Sequence, residues 1–200
     1  ILSRCTYESL SGTNVPRDFV ELCSQIMENW AGHPEVLKTY ATHYQTGEPI
    51  PDGLLEKMEK SKFFNQGFTT VEYLAASFLD MDWHTLTEAK EMDTIAFETE
   101  SMAEIKLIPE IVSRYRSTYF SHIFSGGYAS GYYSYIWAEV LDSDAFDAFK
   151  ENGLFDPATA KSLRTNIFER GGTEDPMALY KRFRGREPKI EPLLKKRGLE

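Results

Sequence analysis

The sequence predicts an all-α fold, and three observations carry that reading. Apolar residues recur three and four positions apart nearly throughout, which is the spacing of one helical face, and no convincing apolar–polar alternation interrupts them. Polar or proline residues stand ahead of these periodic stretches and Gly or Pro behind them, as helix ends require. Internal repeats, low-complexity runs and any linker long enough to divide the chain are lacking. Two hundred residues, 42% of them hydrophobic, suffice for a real core, so residues 1–200 are read as a single domain.

The chain opens Ile-Leu-Ser-Arg-Cys, without Met or the usual polar tail, and reads as though cut from something longer. After the polar turn at 11–14, Pro16 introduces a helix over 17–30. Phe19, Val20, Leu22, Cys23, Ile26, Met27 and Trp30 form its apolar face, with Glu21, Gln25 and Glu28 opposite. Gly32 and Pro34 punctuate, a second helix is predicted over 35–44, and the turn at 46–51 ends it. Asp52 can cap a third helix to about residue 62. A long helix is expected from Thr69 or Thr70 to about Lys90, its Thr-Thr-Val-Glu opening having the form of a capping box. Residues 94–105 are expected to be helical, and Pro109 interrupts any helix beyond them. A helix is predicted over 132–152 and ended by Gly153; Asp156-Pro157 opens the next, and Asp175-Pro176 opens one to about residue 183. Gly185, Pro188 and Pro192 mark a basic tail, read as irregular.

Charge and composition narrow the function classes. Against 31 acidic residues the chain sets 22 basic ones, a formal net charge of −9, which argues against nucleic acid and anionic membrane surfaces as partners. No apolar run approaches a membrane span and no leader resembles a signal peptide. Cys5 and Cys23 do not make a disulfide framework, so a reducing compartment is the default and a cytoplasmic location is expected. Both are read as buried apolar thiols rather than nucleophiles.

One stretch stands apart chemically. Residues 121–139 crowd His122, Gly126, Gly127 and Gly131, and Tyr128, Tyr132, Tyr133 and Tyr135 into a short span that turns into an apolar helix. The glycines read as a loop that must bend or move. If the segment is helical, Tyr128, Tyr132 and Tyr135 share one face. Phenol donors beside a mobile loop suit the wall of a binding site, and an aromatic core stripe fits the same spacing equally well. His33, His43 and His84 lie in ordinary contexts and are read as structural, and no histidine stands three or four residues from another histidine or a cysteine, so no complete zinc site is present. Glu21, with Gln25 and Glu28 beyond it, reads by itself as a solvated face. A carboxylate on a rigid helix is also what a site with two histidines and one glutamate needs as its third ligand.

Several motifs together resemble the zinc oligopeptidases typified by thimet oligopeptidase, neurolysin, oligopeptidase A and peptidyl-dipeptidase Dcp. They are Pro16-Arg17-Asp18-Phe19-Val20-Glu21 with Ser24-Gln25-Ile26-Met27-Glu28-Asn29-Trp30, Phe64-Asn65-Gln66-Gly67-Phe68, Leu79-Asp80-Met81-Asp82-Trp83-His84, His122-Ile123-Phe124-Ser125-Gly126-Gly127-Tyr128 and Phe183-Arg184-Gly185-Arg186. The resemblance covers essentially the whole chain and is greatest to the bacterial Dcp branch. It implies the C-terminal part of a zincin-like, channel-containing catalytic domain whose His-Glu-x-x-His helix lies upstream of Ile1. It also implies one zinc ion with Glu21 as a ligand, the other ligands lying outside this chain, and short peptides as substrates, with C-terminal dipeptides released. Tyr128 and Tyr135 correspond to the tyrosines that donate to the scissile carbonyl or its oxyanion. His122 corresponds to a substrate-contacting histidine, and Tyr132 to another tyrosine of the same wall. Gly126 and Gly127 would let the loop close over the peptide, and Glu28 would steady a ligand histidine from behind. Glu21 and the tyrosines are expected to converge on one cleft. Cys23 stands where the family usually has proline; a cysteine fits the apolar side of a helix, so little effect on Glu21 is expected. The chain alone is expected to be inactive, with the N-terminal remainder of the peptidase as its partner. The contrasting reading is a non-catalytic helical scaffold or peptide-binding module.

Overall fold

The computed structural model describes residues 2–199, and the only extended pairing among them is an isolated antiparallel bridge between Thr42 and Pro49. The rest of the regular structure is helical, as the periodicity requires. Two compact units emerge. One joins Ile1–Phe64 to Ile136–Glu200, and the other is the contiguous segment Asn65–Tyr135.

In the first unit the helix expected at 17–30 forms in two pieces, α1 (Arg17–Val20) and α2 (Leu22–Ala31). They meet at Glu21, whose backbone (φ −80°, ψ −9°) lies between the helical and bridge regions and shifts the register without breaking the run. Helix α3 (Pro34–Tyr40) is capped by the ring of His33, whose Nδ1 accepts the Glu35 N–H at 3.3 Å. It stops four residues short of the expected end. Ile50 N–H donates to Ala41 O and His43 N–H to Glu48 O, both at 2.8 Å, and this small turn takes the donors a longer helix would need. Helix α4 (Asp52–Ser61) starts with Asp52 as its first residue rather than its cap, its carboxylate favoured there by the helix dipole.

The second unit is threaded between these halves in sequence. Helix α5 (Gln66–His84) begins three or four residues earlier than expected, after Asn65 in a left-handed conformation (φ 55°). Thr69 and Thr70 are therefore interior, and the Thr69 hydroxyl bonds back to Asn65 O at 3.3 Å, so no capping box forms. The helix also ends six residues early. Asp93 takes the N–H groups of Ile95 and Ala96 to start α6 (Thr94–Glu104), leaving 86–93 as connection. A 3₁₀ turn (Ser117–Tyr119) and the short α7 (Ser121–Phe124) come next. Ala76, Phe120, Ile123 and Tyr132 form this unit's core, with Tyr73, Trp83, Tyr115, Tyr128 and Tyr135 packed against them.

Helix α8 (Ser134–Asn152) has its first two residues in the second unit and then runs as the central helix of the first. Beyond Gly153 (φ +118°) come α9 (Pro157–Leu163), a π-helical turn (Arg164–Phe168) and α10 (Pro176–Arg184). Asp156 and Asp175 cap the two α-helices as the Asp-Pro pairs predict. The tail read as irregular contains a further helix, α11 (Glu191–Lys196). Pro192 is tolerated in its first turn, and Leu193 is buried beneath it. The first unit's core gathers Phe19, Leu22 and Ile26 with Leu141, Phe146 and Phe149 of α8 and with Leu163, Ile167, Leu179 and Tyr180. Trp30 meets Phe146 and Phe149 edge-on at 4.7 and 4.6 Å, its indole N–H donating to Leu154 O at 2.9 Å.

Candidate active site

The glycine–tyrosine loop is built on turns rather than on a helix. Residues 125–133 bend, and α8 begins only at Ser134. Gly126 and Gly127 have distinct physical roles. A Cβ on Gly126 would sit 2.9 Å from His122 Cα and 3.0 Å from His122 O, so the backbone approaches too closely for any side chain. Gly127 is left-handed, at φ +80°. Tyr128 N–H then donates to His122 O at 2.9 Å, and Gly131 N–H to Tyr128 O at 2.8 Å.

This loop brings together four residues singled out in the sequence. The rings of Tyr128 and Tyr135 stack with centroids 5.1 Å apart, Tyr132 meets Tyr135 at 5.4 Å, and His122 lies 6.1, 5.7 and 6.3 Å from Tyr128, Tyr132 and Tyr135. Helical spacing does not gather them, since Tyr128 precedes α8; the fold of the loop does. Their exposure differs. His122, Tyr128 and Tyr135 are half-buried, whereas Tyr132 is 3% exposed and burial pushes its phenol far above the ordinary range. His122 Nδ1 is buried with no hydrogen-bond partner among the described residues. An unpaired buried nitrogen costs about 1–3 kcal/mol and calls for a partner or a role.

Three residues that were not picked out as site residues complete the cluster. Tyr115 packs against His122 at 4.9 Å, and Tyr73 stacks on Tyr132 at 5.3 Å. Asp80 accepts the backbone N–H groups of Ser130 and Tyr132. The signal for Asp80 lay in Leu79-Asp80-Met81-Asp82-Trp83-His84, where an acid and a histidine stand one helical turn apart.

The other candidates belong to the first unit. Glu21 is half-buried at the α1–α2 junction, and the Ser24 hydroxyl lies 2.8 Å from its Oε2 and 3.0 Å from its backbone oxygen, sharing one proton between them. Glu28 is exposed two turns further on. Cys23 is exposed as a residue, yet the protein packed around its sulfur withholds enough water to push the thiol up to about 11. The expectation of a buried, unreactive thiol therefore holds for its sulfur but not for the residue as a whole. Cys5 is half-buried, its Sγ near the carbonyls of Leu10 and Arg170 at 3.3 and 3.2 Å. A cavity of about 290 Å3 in this unit is lined by Phe19, Trp137, Leu141, Met177 and Tyr180, with Asp18 and Asp175 among its polar residues, and includes none of the candidates.

Comparison with known proteins decides the family. The profile of Peptidase family M3 matches residues 1–199. The chain belongs to this peptidase family. It is 47% identical to the dipeptidyl carboxypeptidase of Escherichia coli over 201 residues, covering all of this chain and 30% of the relative. Oligopeptidase A of Haemophilus influenzae is 42% identical, again over all of this chain and 30% of the relative. Saccharolysin of Saccharomyces cerevisiae is 35% identical over 94% of this chain and 26% of its own length. The chain thus spans about 30% of the length of the bacterial M3 relatives it matches. The family is in general zinc-dependent. Among the described residues no group of three or more His, Cys, Asp or Glu could hold a metal ion, so the ligands present here do not make a zinc site by themselves. No helix among them is long and apolar enough to cross a membrane.

Proposed function

We propose that the protein containing this chain is a zinc metallopeptidase acting on short peptides, and that it releases C-terminal dipeptides. The observation that carries this reading is the cluster of His122, Tyr128 and Tyr135 in a chain that matches family M3 along its length. Two relatives named dipeptidyl carboxypeptidase, 47% and 46% identical, support the dipeptide product. In this reading the chain is the C-terminal part of the catalytic domain. Glu21 contributes one metal ligand, and the N-terminal remainder contributes the others and the general base. Zinc, when bound, supplies Lewis-acid chemistry toward water and the scissile carbonyl.

This chain's own work is to hold the peptide and receive charge. As the amide carbon becomes tetrahedral its oxygen gains negative charge, and the Tyr128 and Tyr135 hydroxyls donate to it. Neutral phenols suit this role because they give a hydrogen bond without carrying a charge that must be desolvated. Tyr132, packed behind them, keeps the wall rigid, while His122 contacts the peptide and Gly126 and Gly127 shape the loop that covers it. Glu28 steadies a ligand histidine. The free thiols of Cys5 and Cys23 accord with a cytoplasmic site of action.

The test uses the whole open reading frame. Mass spectrometry of short peptides should show C-terminal dipeptides released, with activity abolished by 1,10-phenanthroline and restored by zinc. Glu21→Gln should lower bound zinc below one equivalent and turnover by at least 100-fold. Normal zinc content and turnover in Glu21→Gln would remove Glu21 from the site. Peptide binding without chelator-sensitive cleavage would favour a scaffold instead.

A further inference from the structure

Asp80 is a carboxylate with no exposure to solvent, buried on the inner face of α5. Burying a carboxylate costs several kcal/mol unless its oxygens are paired. Here the pairing comes from two places. From the glycine–tyrosine loop, Oδ1 accepts the N–H of Ser130 at 3.0 Å and Oδ2 that of Tyr132 at 2.8 Å, so the fork spans Gly131. From its own helix, His84 Nδ1 lies 2.8 Å from both Oδ1 and the Asp80 backbone oxygen. Both of those neighbours are acceptors, so Nδ1 carries the hydrogen. Two turns earlier on α5, the Tyr73 hydroxyl donates to Tyr132 O at 2.5 Å. Helix α5 therefore grips the backbone of 130–132 at three points.

The gripped tripeptide is the link between the two phenols. Tyr128 O accepts from Gly131 N–H, and Gly131 O accepts from Ser134 N–H at 3.1 Å, at the head of the helix that carries Tyr135. The link is also strained. Ser130 is a non-glycine residue at φ +53°, a conformation costing about 1–3 kcal/mol that persists only where its surroundings over-determine it. The Asp80 carboxylate is an over-determining contact, since it takes the Ser130 N–H itself.

We propose that α5, chiefly through Asp80, is the positioning element of the site, fixing where the Tyr128 and Tyr135 hydroxyls stand by holding the Ser130–Tyr132 backbone. This rests on the peptidase reading above and adds to it a residue that does not touch the substrate. Asparagine at this position offers one oxygen and one NH₂, so it can satisfy one of the two loop donors and must turn its own donor toward the other.

The experiment is a double-mutant cycle in the whole zinc-loaded peptidase. Asp80→Asn should lower kcat on the order of 10- to 100-fold, with KM within about two-fold and zinc content unchanged, as for a small displacement of catalytic donors. Tyr135→Phe should lower kcat on the order of 100-fold or more. The double variant should be clearly faster than the product of the two single effects predicts, because the Tyr135 hydroxyl that is already absent cannot be misplaced as well and only the displacement of Tyr128 is left to slow the reaction. A general loss of stability would multiply instead. Multiplicative effects, an effect confined to KM, or Asp80→Asn activity within about two-fold of the parent would overturn the proposal. Should Asp80→Asn fail to fold, Tyr73→Phe keeps the ring and removes the hydroxyl that donates to Tyr132 O, and the same non-additivity with Tyr135→Phe is expected. If Tyr135→Phe alone retains full turnover, the role of the phenols falls rather than that of the anchor. Amide exchange then decides the anchor: faster exchange at Ser130 and Tyr132 in Asp80→Asn supports it, and unchanged protection overturns it.

Discussion

At the scale of single residues, Asp142 on α8 shows how burial and charge compete. It is 1% exposed; its Oδ1 accepts from Asn29 Nδ2 at 2.8 Å and Lys196 Nζ at 3.2 Å, and its Oδ2 is buried without a partner among the described residues. Burial pushes the carboxyl above its ordinary value, and Lys196 and Asn29 offset that only in part. This fixes the sign of the pH effect. Above the ordinary aspartate pKa the unfolded chain has released this proton while the folded chain still holds it, so stability falls as pH rises until the folded group also ionises. Asp142→Asn removes that loss. Urea unfolding across a pH series should show the variant gaining on the parent from the acid side upward and then holding a constant difference. A difference independent of pH would show that Asp142 ionises as freely folded as unfolded, and a variant that loses ground to the parent as pH rises would show that it ionises more freely folded.

Elements were legible wherever their ends are made by local chemistry. Asp156-Pro157 and Asp175-Pro176 announce α9 and α10, because a short side-chain acceptor and a proline without N–H satisfy the first turn with no outside help. Asp175→Ala should therefore cost about 1 kcal/mol by equilibrium unfolding, with Asp175→Ser near the parent. Misread ends were decided by distant or competing groups. The turn joining Ala41 to Ile50 cut α3 short, and Asp93 drew the chain away before α5 could reach Lys90. Likewise α11 stayed hidden because its reason to form is the burial of Leu193, not its own composition. At the site, the aromatic residues could be picked out by type, but their meeting could not. Tyr128 joins Tyr135 through a loop whose shape depends on Asp80, a residue some fifty positions earlier that periodicity alone marks only as helical.

On the scale of the whole molecule, the first unit is closed by contacts between segments far apart in sequence. Its N-terminal arm lies on the turn after the π-helical segment: Arg4 N–H donates to Glu169 O at 2.9 Å and Gly172 N–H to Leu10 O at 2.8 Å. A Cβ on Gly171 would stand 2.2 Å from Leu10 O, and the residue is left-handed at φ +51°. Gly171→Ala should thus cost about 1–3 kcal/mol. It should also speed the modification of Cys5 by a thiol reagent relative to that of Cys23, since the arm that shelters Cys5 must lift. Equal rates in variant and parent would show that the arm does not depend on this contact. The discontinuity of the unit has a consequence for biosynthesis. Ile26 and Leu141 share one core but leave the ribosome 115 residues apart. At ordinary elongation speeds α2 waits roughly 6–23 seconds with its oily side uncovered, whereas the contiguous segment between has all its own partners before α8 is complete. Within this stretch of the chain, the need for a chaperone is therefore greatest while residues 65–135 are being made.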